Sequence, residues 1–541
     1  MVGSGQEARE PEAHHGDREV TINAVSRSFA CWPHADGKRY TREPVEDATP
    51  SQGSWRLTDG EFAQTRIDAV ITSPRPTNEL SSASRYLWAH SGFDYIVPVC
   101  VMGGAPPFWF DVSGVAGATV ERKSPTFNPG CYSWGVVTIP AATVAGWSGI
   151  QTITVDVYDQ EHPTTPAASV TWTITKDDAK FVFVDAVSGA PVNAGTLASP
   201  FQTIEAYYGA TSTDNTYAGK IAVYRTGTYA LDRWGTQPGT TGTLYWPCSK
   251  KPVGHIAYPG ESPVWDFNAL VAYGYGLDLY WSEPMNDWFF GGIQCYRGKH
   301  HFKAAFVTNR VTLWDVDCVD MNQISGTNDN LGFFSSAGLS SAHDYFALAD
   351  IRVSGLVNAA GLNNGSVFLV YHCVNLSVDG CVFTNSQCSD ALFPKTDIRR
   401  GTITGCSVWT GNTPSRAMNL YNSVQNASHD NKVLQARYCR TSKADDTLDA
   451  LSLGHALDAW GTLYVDRCTH VGGNRVENEA LGIANMSECV VVNDLTPVID
   501  ADVVQSSVVT YTRSGSTLDA EGKLPNGATR YTRGYEVREP V

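Results

Sequence analysis

The stretch Leu463-Tyr464-Val465-Asp466-Arg467-Cys468 shows the pattern on which the fold prediction depends. Similar short β-type segments end at Cys318, Cys381, Cys406 and Cys439, Cys489 follows, and segment 345–352 fits the same frame with Ile351 in the cysteine position. These positions are on average about 28 residues apart, a period typical of solenoids. Equivalent positions would then stack about 4.8 Å apart. We therefore expect the cysteines to form a buried packing ladder rather than a reactive site, because none is marked as electropositive and exposed.

The composition excludes several classes of protein. The chain has 541 residues, of which 42% are hydrophobic, and its formal net charge is −16. An acidic surface argues against nucleic acid as a partner, because phosphate contacts need clustered Lys and Arg. The first twenty residues are polar, and no segment is long and apolar enough to span a membrane, so we expect no signal peptide and no membrane insertion.

The cysteine count indicates where the chain folds. It has 13 cysteines, an odd number, with neither a CxxC pair nor a zinc-type spacing of Cys and His. A disulfide-bonded secreted protein normally has an even number. The sequence therefore predicts reduced, buried thiols in a protein that folds in a cytoplasm.

A second β-rich region precedes the repeats. Thr152–Tyr158 and Ser169–Ile174 alternate polar and apolar residues, which places one strand face on a core and the other in water. Short strands separated by Gly and Pro turns predict a β-sandwich over residues 86–177. The apolar segment 95–99, followed by Gly103-Gly104-Ala105-Pro106-Pro107-Phe108, resembles the start of cadherin-like and Ig-like repeats.

Three phrases after this region resemble right-handed parallel β-helix proteins. They are Gly195-Thr196-Leu197-Ala198-Ser199-Pro200-Phe201-Gln202-Thr203-Ile204, the pair 221–224 and Gly227-Thr228-Tyr229, and the segment 255–264. The resemblance and the repeats together predict an all-β fold, an Ig-like β-sandwich followed by a right-handed parallel β-helix, with a small N-terminal module. The expected divisions are an N-terminal tail and attachment module at 1–85, the sandwich at 86–177, the β-helix at 178–495, and a C-terminal cap or oligomerisation segment at 496–541.

Two groups of carboxylates are candidates for catalysis. Asp315 and Asp317 alternate on one strand, with Asp320 just beyond it, which would suit an acid/base pair. The same spacing would suit Ca²⁺, although nothing else in the sequence supports a metal or another cofactor. The second group is Asp390 and Asp397, in a charged segment with Lys395 and Arg399. The two cations could hold a uronate carboxylate, but for both groups we favour a plain solvated surface with ion pairs.

An aromatic-rich stretch is the third candidate site. Trp281 and Trp288 could stack on sugar rings while Glu283 and Asp287 accept hydrogen bonds from hydroxyl groups. Packing inside a coil explains the same aromatics and is favoured. The ordered signature of pectinases is absent, which argues against pectinase activity.

The resemblance implies a function. The chain resembles bacteriophage tailspike, tail fibre and head spike proteins, which are made in the host cytoplasm. This resemblance implies a homotrimer on the virion surface that binds host cell-surface polysaccharide, with or without cleavage, and that contacts other virion proteins through the N-terminal module. Two alternatives stay open: a bacterial polysaccharide lyase or glycoside hydrolase with a β-helix catalytic domain, and a purely structural virion stalk.

Overall fold

The structure of the protein is a computed structural model. It describes residues 32–33, 39–44, 55–59, 67–125, 131–204, 206, 216–230, 244–245, 252–267, 275–278, 286–297, 300–304, 309–320, 322–323, 332–336, 343–355, 357–358, 366–386, 390–410, 416–419, 433–443, 451–455, 462–471, 475–479, 483–487, 489–493, 498–499, 504–506 and 509–512. Within these residues the fold is all-β, and no helix is long and apolar enough to cross a membrane.

The first strands form two separate groups. A small antiparallel sheet contains β1 (Trp32–Pro33), β2 (Arg39–Pro44) and β3 (Trp55–Asp59). The next eight strands are β4 (Val70–Ser73), β5 (Trp88–Ala89), β6 (Tyr95–Met102), β7 (Trp109–Ser113), β8 (Thr119–Lys123), β9 (Trp134–Ile139), β10 (Gln151–Tyr158) and β11 (Ala168–Lys176). Helix α1 (Ala141–Ala145) and three 3-10 turns (Thr77–Glu79, Arg85–Leu87, Asp178–Lys180) complete this region.

These eight strands form what we call the two-sheet unit, residues 67–180. One sheet has the order β5-β11-β10-β7 and the other β4-β6-β9-β8. All pairs are antiparallel except β5 with β11. Both sheets contribute to one core, in which Val97 and Val137 from one sheet join Val155 and Trp172 from the other. The alternation predicted for β10 and β11 is therefore present, with Ile153, Val155 and Val157 buried.

The remaining strands form the parallel unit, residues 181–512. They are β12 (Phe181–Val184), β13 (Ile221–Tyr224), β14 (Gly227–Ala230), β15 (Leu244–Tyr245), β16 (Gly254–Ala257), β17 (Pro263–Asp266), β18 (Tyr275–Asp278), β19 (Trp288–Gly291), β20 (Gln294–Tyr296), β21 (His300–Ala304), β22 (Arg310–Val319), β23 (Asn322–Gln323), β24 (Gly332–Ser336), β25 (His343–Ser354), β26 (Val357–Asn358) and β27 (Ser366–Asp379). They continue with β28 (Val382–Ser386), β29 (Asp390–Thr404), β30 (Ser407–Thr410), β31 (Arg416–Asn419), β32 (Val433–Arg437), β33 (Arg440–Lys443), β34 (Leu451–His455), β35 (Thr462–Asp466), β36 (Thr469–Val471), β37 (Arg475–Glu479), β38 (Ile483–Ser487), β39 (Val490–Asn493), β40 (Val498–Ile499), β41 (Val504–Ser506) and β42 (Val509–Thr512).

Pairing in the parallel unit follows a regular rule. β13 pairs with β16, β16 with β19 and β19 with β22, always in parallel, and the series continues through β32, β35 and β38 to β41. Strands on the other sides follow the same rule, as β14 with β17 and β17 with β20 show. The chain therefore returns periodically to the same side of the unit. We call the segment between two successive strands of one series a coil, and each coil stacks on the previous one.

The interior of the parallel unit contains the expected stack of thiols, with one difference in register. Cys439 N–H lies 3.4 Å from the sulfur of Cys468, and Cys468 N–H lies 3.5 Å from that of Cys489. Ile351 belongs to this column, but its partner one coil earlier is Val316. Cys318 instead pairs with Cys295 in the next column. The predicted alignment of the repeats was therefore wrong by two residues at Cys318. Because alternate side chains of a strand point inward, a shift of two residues moves each residue to the next inward-facing position. All ten cysteines that the structure describes are buried thiols.

The two-sheet unit packs against the side of the parallel unit. Tyr86 and Phe93 share a core with Phe183, Ile256 and Phe289. Polar contacts join the units as well: the hydroxyl groups of Thr72 and Ser377 lie 2.7 Å apart, and those of Ser73 and Thr312 lie 2.6 Å apart. The outer face of these coils is thus buried rather than solvated.

Arg437 anchors this contact. Its side chain is fully buried, and its guanidinium donates to the carbonyl oxygens of Gly103 (2.6 Å) and Gly104 (2.5 Å) and to the hydroxyl of Thr404 (3.0 Å). Gly103 has a φ of 74°, and a Cβ there would lie 2.3 Å from the carbonyl oxygen of Asp68. The carbonyl oxygens of the glycine pair therefore accept hydrogen bonds from the parallel unit, at a position where a side chain has no room.

We expect Arg437→Met to lower the free energy of unfolding by about 3 kcal/mol, because two buried carbonyl groups lose their donor. Chemical denaturation would measure this loss. Lys123→Met is the control, since Lys123 forms a surface pair with Glu121 that contributes little. Equal stability of the two variants would show that the arginine does not hold the units together.

Candidate functional site

Three carboxylates surround one arginine at an outer corner of the parallel unit. The Arg352 guanidinium donates to Asp315 and to Asp350, both at 2.7 Å, and its Nε donates to Asp317. Between 35% and 42% of each of these four side chains is exposed. We call Asp315, Asp317, Asp350 and Arg352 the Arg352 cluster. It is a charged group that solvent and a ligand can reach.

Coil stacking explains why these residues meet. β22 and β25 pair with Trp314 opposite Ala349 and Asp317 opposite Arg352, so Asp315 and Asp350 occupy equivalent positions on successive coils. Both have a left-handed backbone, with φ of 51° and 54°, and Gly380 and Gly405 take the same conformation at the same corner. Aspartate tolerates this conformation better than most residues. The turn therefore presents two carboxyl groups one above the other.

Two members of the Arg352 cluster have shifted pKa values. Burial raises the pKa of Asp350 above its usual range, and the charges of Asp315 and Asp317 act in the same direction, although Arg352 opposes them. Burial alone would lower the pKa of the Arg352 guanidinium, but its hydrogen bonds to Asp317 and Asp315 raise it instead. A carboxyl group that keeps its proton to higher pH beside other carboxylates is the arrangement that general acid catalysis requires.

A cavity adjoins the cluster, between the parallel unit and the two-sheet unit. Its volume is about 190 Å³, and Asp315 and Trp314 form part of its wall. Tyr258 and Glu261 from the parallel unit and Asp94 from the two-sheet unit also line it. Asp315 thus belongs both to the cavity wall and to the Arg352 cluster. Aromatic rings beside carboxylates are the groups that bind sugar rings and hydroxyls.

The other two carboxylates of the cavity are held in place. Glu261 accepts hydrogen bonds from Arg225 (2.7 Å) and from the backbone N–H of Thr226 (2.6 Å). Burial would raise the pKa of Glu261, but these hydrogen bonds outweigh it and keep the pKa below its usual range. Asp94 accepts a hydrogen bond of 2.8 Å from the backbone of Ala141.

The remaining predicted residues lie elsewhere or outside the described residues. Asp320 is exposed at the next corner, against Gly355. Asp287 binds Arg310 and the backbone N–H of Ser81, so it ties the two units together. Trp288 is 1% exposed and packs on Phe290 in the interior. Arg399 lies on β29. Asp390, Lys395 and Asp397 lie on the same strand, but their side chains are outside the described part of the chain. Trp281 and Glu283 are outside the described residues altogether.

The sequence did not point to four residues of the site: Asp350, Arg352, Asp94 and Glu261. A signal for the first two existed in the repeat, because segment 345–352 belongs to the same frame as the segment that contains Asp315 and Asp317. The predicted alignment of Ile351 with Cys318 did not bring these residues together. The observed alignment of Ile351 with Val316 places Asp350 on Asp315 and Arg352 on Asp317. No local pattern marks Asp94 or Glu261.

The cluster does not have the composition of a calcium site in its present form. The guanidinium of Arg352 lies between the carboxylates, where a cation would bind. Among the described residues, no group of three or more His, Cys, Asp or Glu side chains is arranged to hold a metal ion.

The raised pKa of Asp350 gives a stability test. A carboxyl whose pKa is higher in the folded state stabilises the fold at low pH, and this contribution is lost as the pH rises through the folded-state pKa. We therefore expect the stability of Asp350→Asn, relative to the wild type, to increase between pH 4 and pH 7 in denaturation experiments.

Asp178→Asn provides the opposite case. Burial would raise the pKa of Asp178, but hydrogen bonds from Ser91 lower it. The stability of that variant relative to the wild type should therefore fall as the pH rises from about 2 to about 4, the range that lies below the unfolded carboxyl pKa. Slopes of the same sign would contradict the electrostatics of the cluster.

Comparison with known proteins adds one weak likeness. No family model matches the sequence, and no curated protein matches it. Among solved structures, a GH136 lacto-N-biosidase from Eubacterium ramulus, as its selenomethionine derivative, is similar with a TM-score of 0.28 and 10% sequence identity. The alignment covers 62% of this chain and 68% of that chain. A TM-score of this size does not establish a shared fold.

Proposed function

We propose that this protein binds a glycan and hydrolyses a glycosidic bond in the cavity beside the Arg352 cluster. The observation that carries the proposal is the stacked pair Asp315 and Asp350, one of which lines the cavity while the other has a raised pKa. In this proposal the parallel unit is a right-handed parallel β-helix and the two-sheet unit is an Ig-like sandwich packed on its side. The regular parallel pairing and the common core of the two sheets support these assignments.

The spacing of the pair suits a retaining mechanism. The backbones at equivalent positions of successive coils are about 4.8 Å apart, and both carboxyl groups bind the guanidinium of Arg352. In this proposal they are thereby held near the roughly 5–5.5 Å that separates the carboxyl groups of retaining glycosidases. Asp350 would donate its proton to the leaving glycosidic oxygen while Asp315 attacks the anomeric carbon. Asp350 would then remove a proton from the water that releases the sugar. Arg352, bonded to both, is the positioning residue.

We expect Asp315→Asn and Asp350→Asn each to reduce the release of reducing ends from a susceptible polysaccharide by at least about 100-fold. A panel of capsular and lipopolysaccharide glycans, assayed for reducing ends and for ultraviolet-absorbing unsaturated products, would measure this. The second readout separates hydrolysis from the lyase alternative.

Asp111→Asn is the matched control, since Asp111 is exposed on β7 and lies outside the cavity wall and the cluster. If both site variants retained the activity of the wild type, the site would be elsewhere. Glycan binding without cleavage by the wild type would leave a binding protein and remove the enzymatic part of the proposal.

The stacked thiols favour a second candidate, a bacteriophage tailspike, tail fibre or head spike. Ten buried thiols without a disulfide among the described residues suit folding in a reducing cytoplasm. In this candidate the protein lies on the virion surface as a homotrimer, binds host polysaccharide through the parallel unit, and contacts other virion proteins through the part of the N-terminal module that precedes the two-sheet unit. Hydrolysis at the Arg352 cluster is compatible with it.

For this candidate we expect a trimeric mass in light scattering and a band that resists dissociation by SDS without heating. A glycosidase that acts as a single chain would instead have a monomeric mass. A stable monomer at micromolar concentration would contradict the appendage proposal and leave the hydrolase proposal intact.

A further inference from the structure

The cavity beside the Arg352 cluster has an unusual balance of charge. Three carboxylates line it, those of Asp94, Glu261 and Asp315, and the one cation among its lining residues is Arg85. Any ligand with its own negative charge would have to enter beside these carboxylates. The position of Arg85 therefore decides whether an anion can bind.

Arg85 is a buried residue of the cavity wall, and part of its guanidinium is already engaged. Its side chain is 1% exposed, and its guanidinium lies 4.7 Å from the ring centre of Tyr95 and 5.9 Å from that of Phe181. One N–H of the guanidinium donates to the carbonyl oxygen of Trp88 at 2.7 Å. These contacts hold the guanidinium at the junction of the two units, while its Nε has no hydrogen-bond partner among the described residues.

The two other arginines near the cavity are already neutralised. Arg225 binds Glu261 and lies 4.4 Å from the ring centre of Tyr258, and Arg352 is shared by the carboxylates of its cluster. Neither is available to a carboxylate, sulfate or phosphate of a ligand. A uronic acid would thus meet like charge without a compensating partner.

The size and the walls of the cavity fit one uncharged ring. Its volume of about 190 Å³ is smaller than the roughly 300–1,000 Å³ of sites for drug-sized ligands. Tyr258 and Trp314 supply apolar surface, and the carboxylates accept hydrogen bonds from hydroxyl or ammonium groups.

We infer that the cavity selects a neutral or amino-substituted sugar and rejects uronic acids. This inference rests on the proposed function, because it names the substrate class of the same site. It also argues against a polysaccharide lyase, whose chemistry requires a uronate. Glu261 is the residue that sets the selectivity, since it neutralises Arg225 at the cavity wall.

The test uses matched pairs of methyl glycosides that differ only in the carboxylate at C6: glucose and glucuronate, galactose and galacturonate, mannose and mannuronate. Binding to the full-length Asp350→Asn protein, which prevents turnover, is measured by calorimetry or ligand-observed NMR. We expect at least one neutral member to bind about tenfold or more tightly than its uronate partner. The difference should shrink as salt screens the repulsion.

A second variant, Glu261→Gln in the same background, leaves Arg225 free to pair with a ligand carboxylate. We expect it to reduce the preference for the neutral member at least tenfold, while Asp111→Asn leaves it unchanged. If a uronate binds as tightly as its neutral partner, the inference is wrong while the hydrolase proposal stands. If none of the six glycosides binds and no glycan is cleaved, both fail.

Discussion

Parallel backbone hydrogen bonding between successive coils is the constraint on which the rest of this protein depends. It fixes each residue above its equivalent in the coil before, about 4.8 Å away. Inside, this places thiol on thiol from Cys381 to Cys489. At the outer corner it places Asp350 on Asp315 and Arg352 on Asp317. The same register thus produces both the core and the charged site.

The corner itself imposes a second condition. The residue that makes the turn has a left-handed backbone at seven successive equivalent positions, 292, 315, 350, 380, 405, 438 and 467. Glycine and aspartate adopt this conformation more readily than most residues. Glycine satisfies the condition at positions 380 and 405. Aspartate satisfies it at positions 315 and 350 and adds a carboxyl group. A conformational requirement of the backbone therefore coincides with the position where two acids can cooperate.

The two-sheet unit covers part of the outer face of the parallel unit, so outward-pointing residues there are shielded from solvent. Ser377, Thr402 and Arg437 point outward from their coils, yet they are fully buried because the two-sheet unit covers them. The glycine pair 103–104, which resembles a motif of Ig-like repeats, supplies carbonyl groups to Arg437. This contact also forms one wall of the cavity, through Asp94. The cavity therefore lies where the two units meet, whereas the Arg352 cluster belongs to the parallel unit alone.

The sequence by itself determined the all-β class, the repeat of about 28 residues and the reduced, buried cysteines, because inward-facing apolar residues recur along the chain whatever their partners. It also pointed to Asp315 and Asp317. Tertiary structure alone decided which carboxyl groups come together, since a shift of two residues in register exchanges one inward-facing column for another without disturbing the apolar pattern. The partnership of Asp315 with Asp350, and the meeting of Asp94 with Glu261 across two units, depend on that register and on packing between segments more than 150 residues apart.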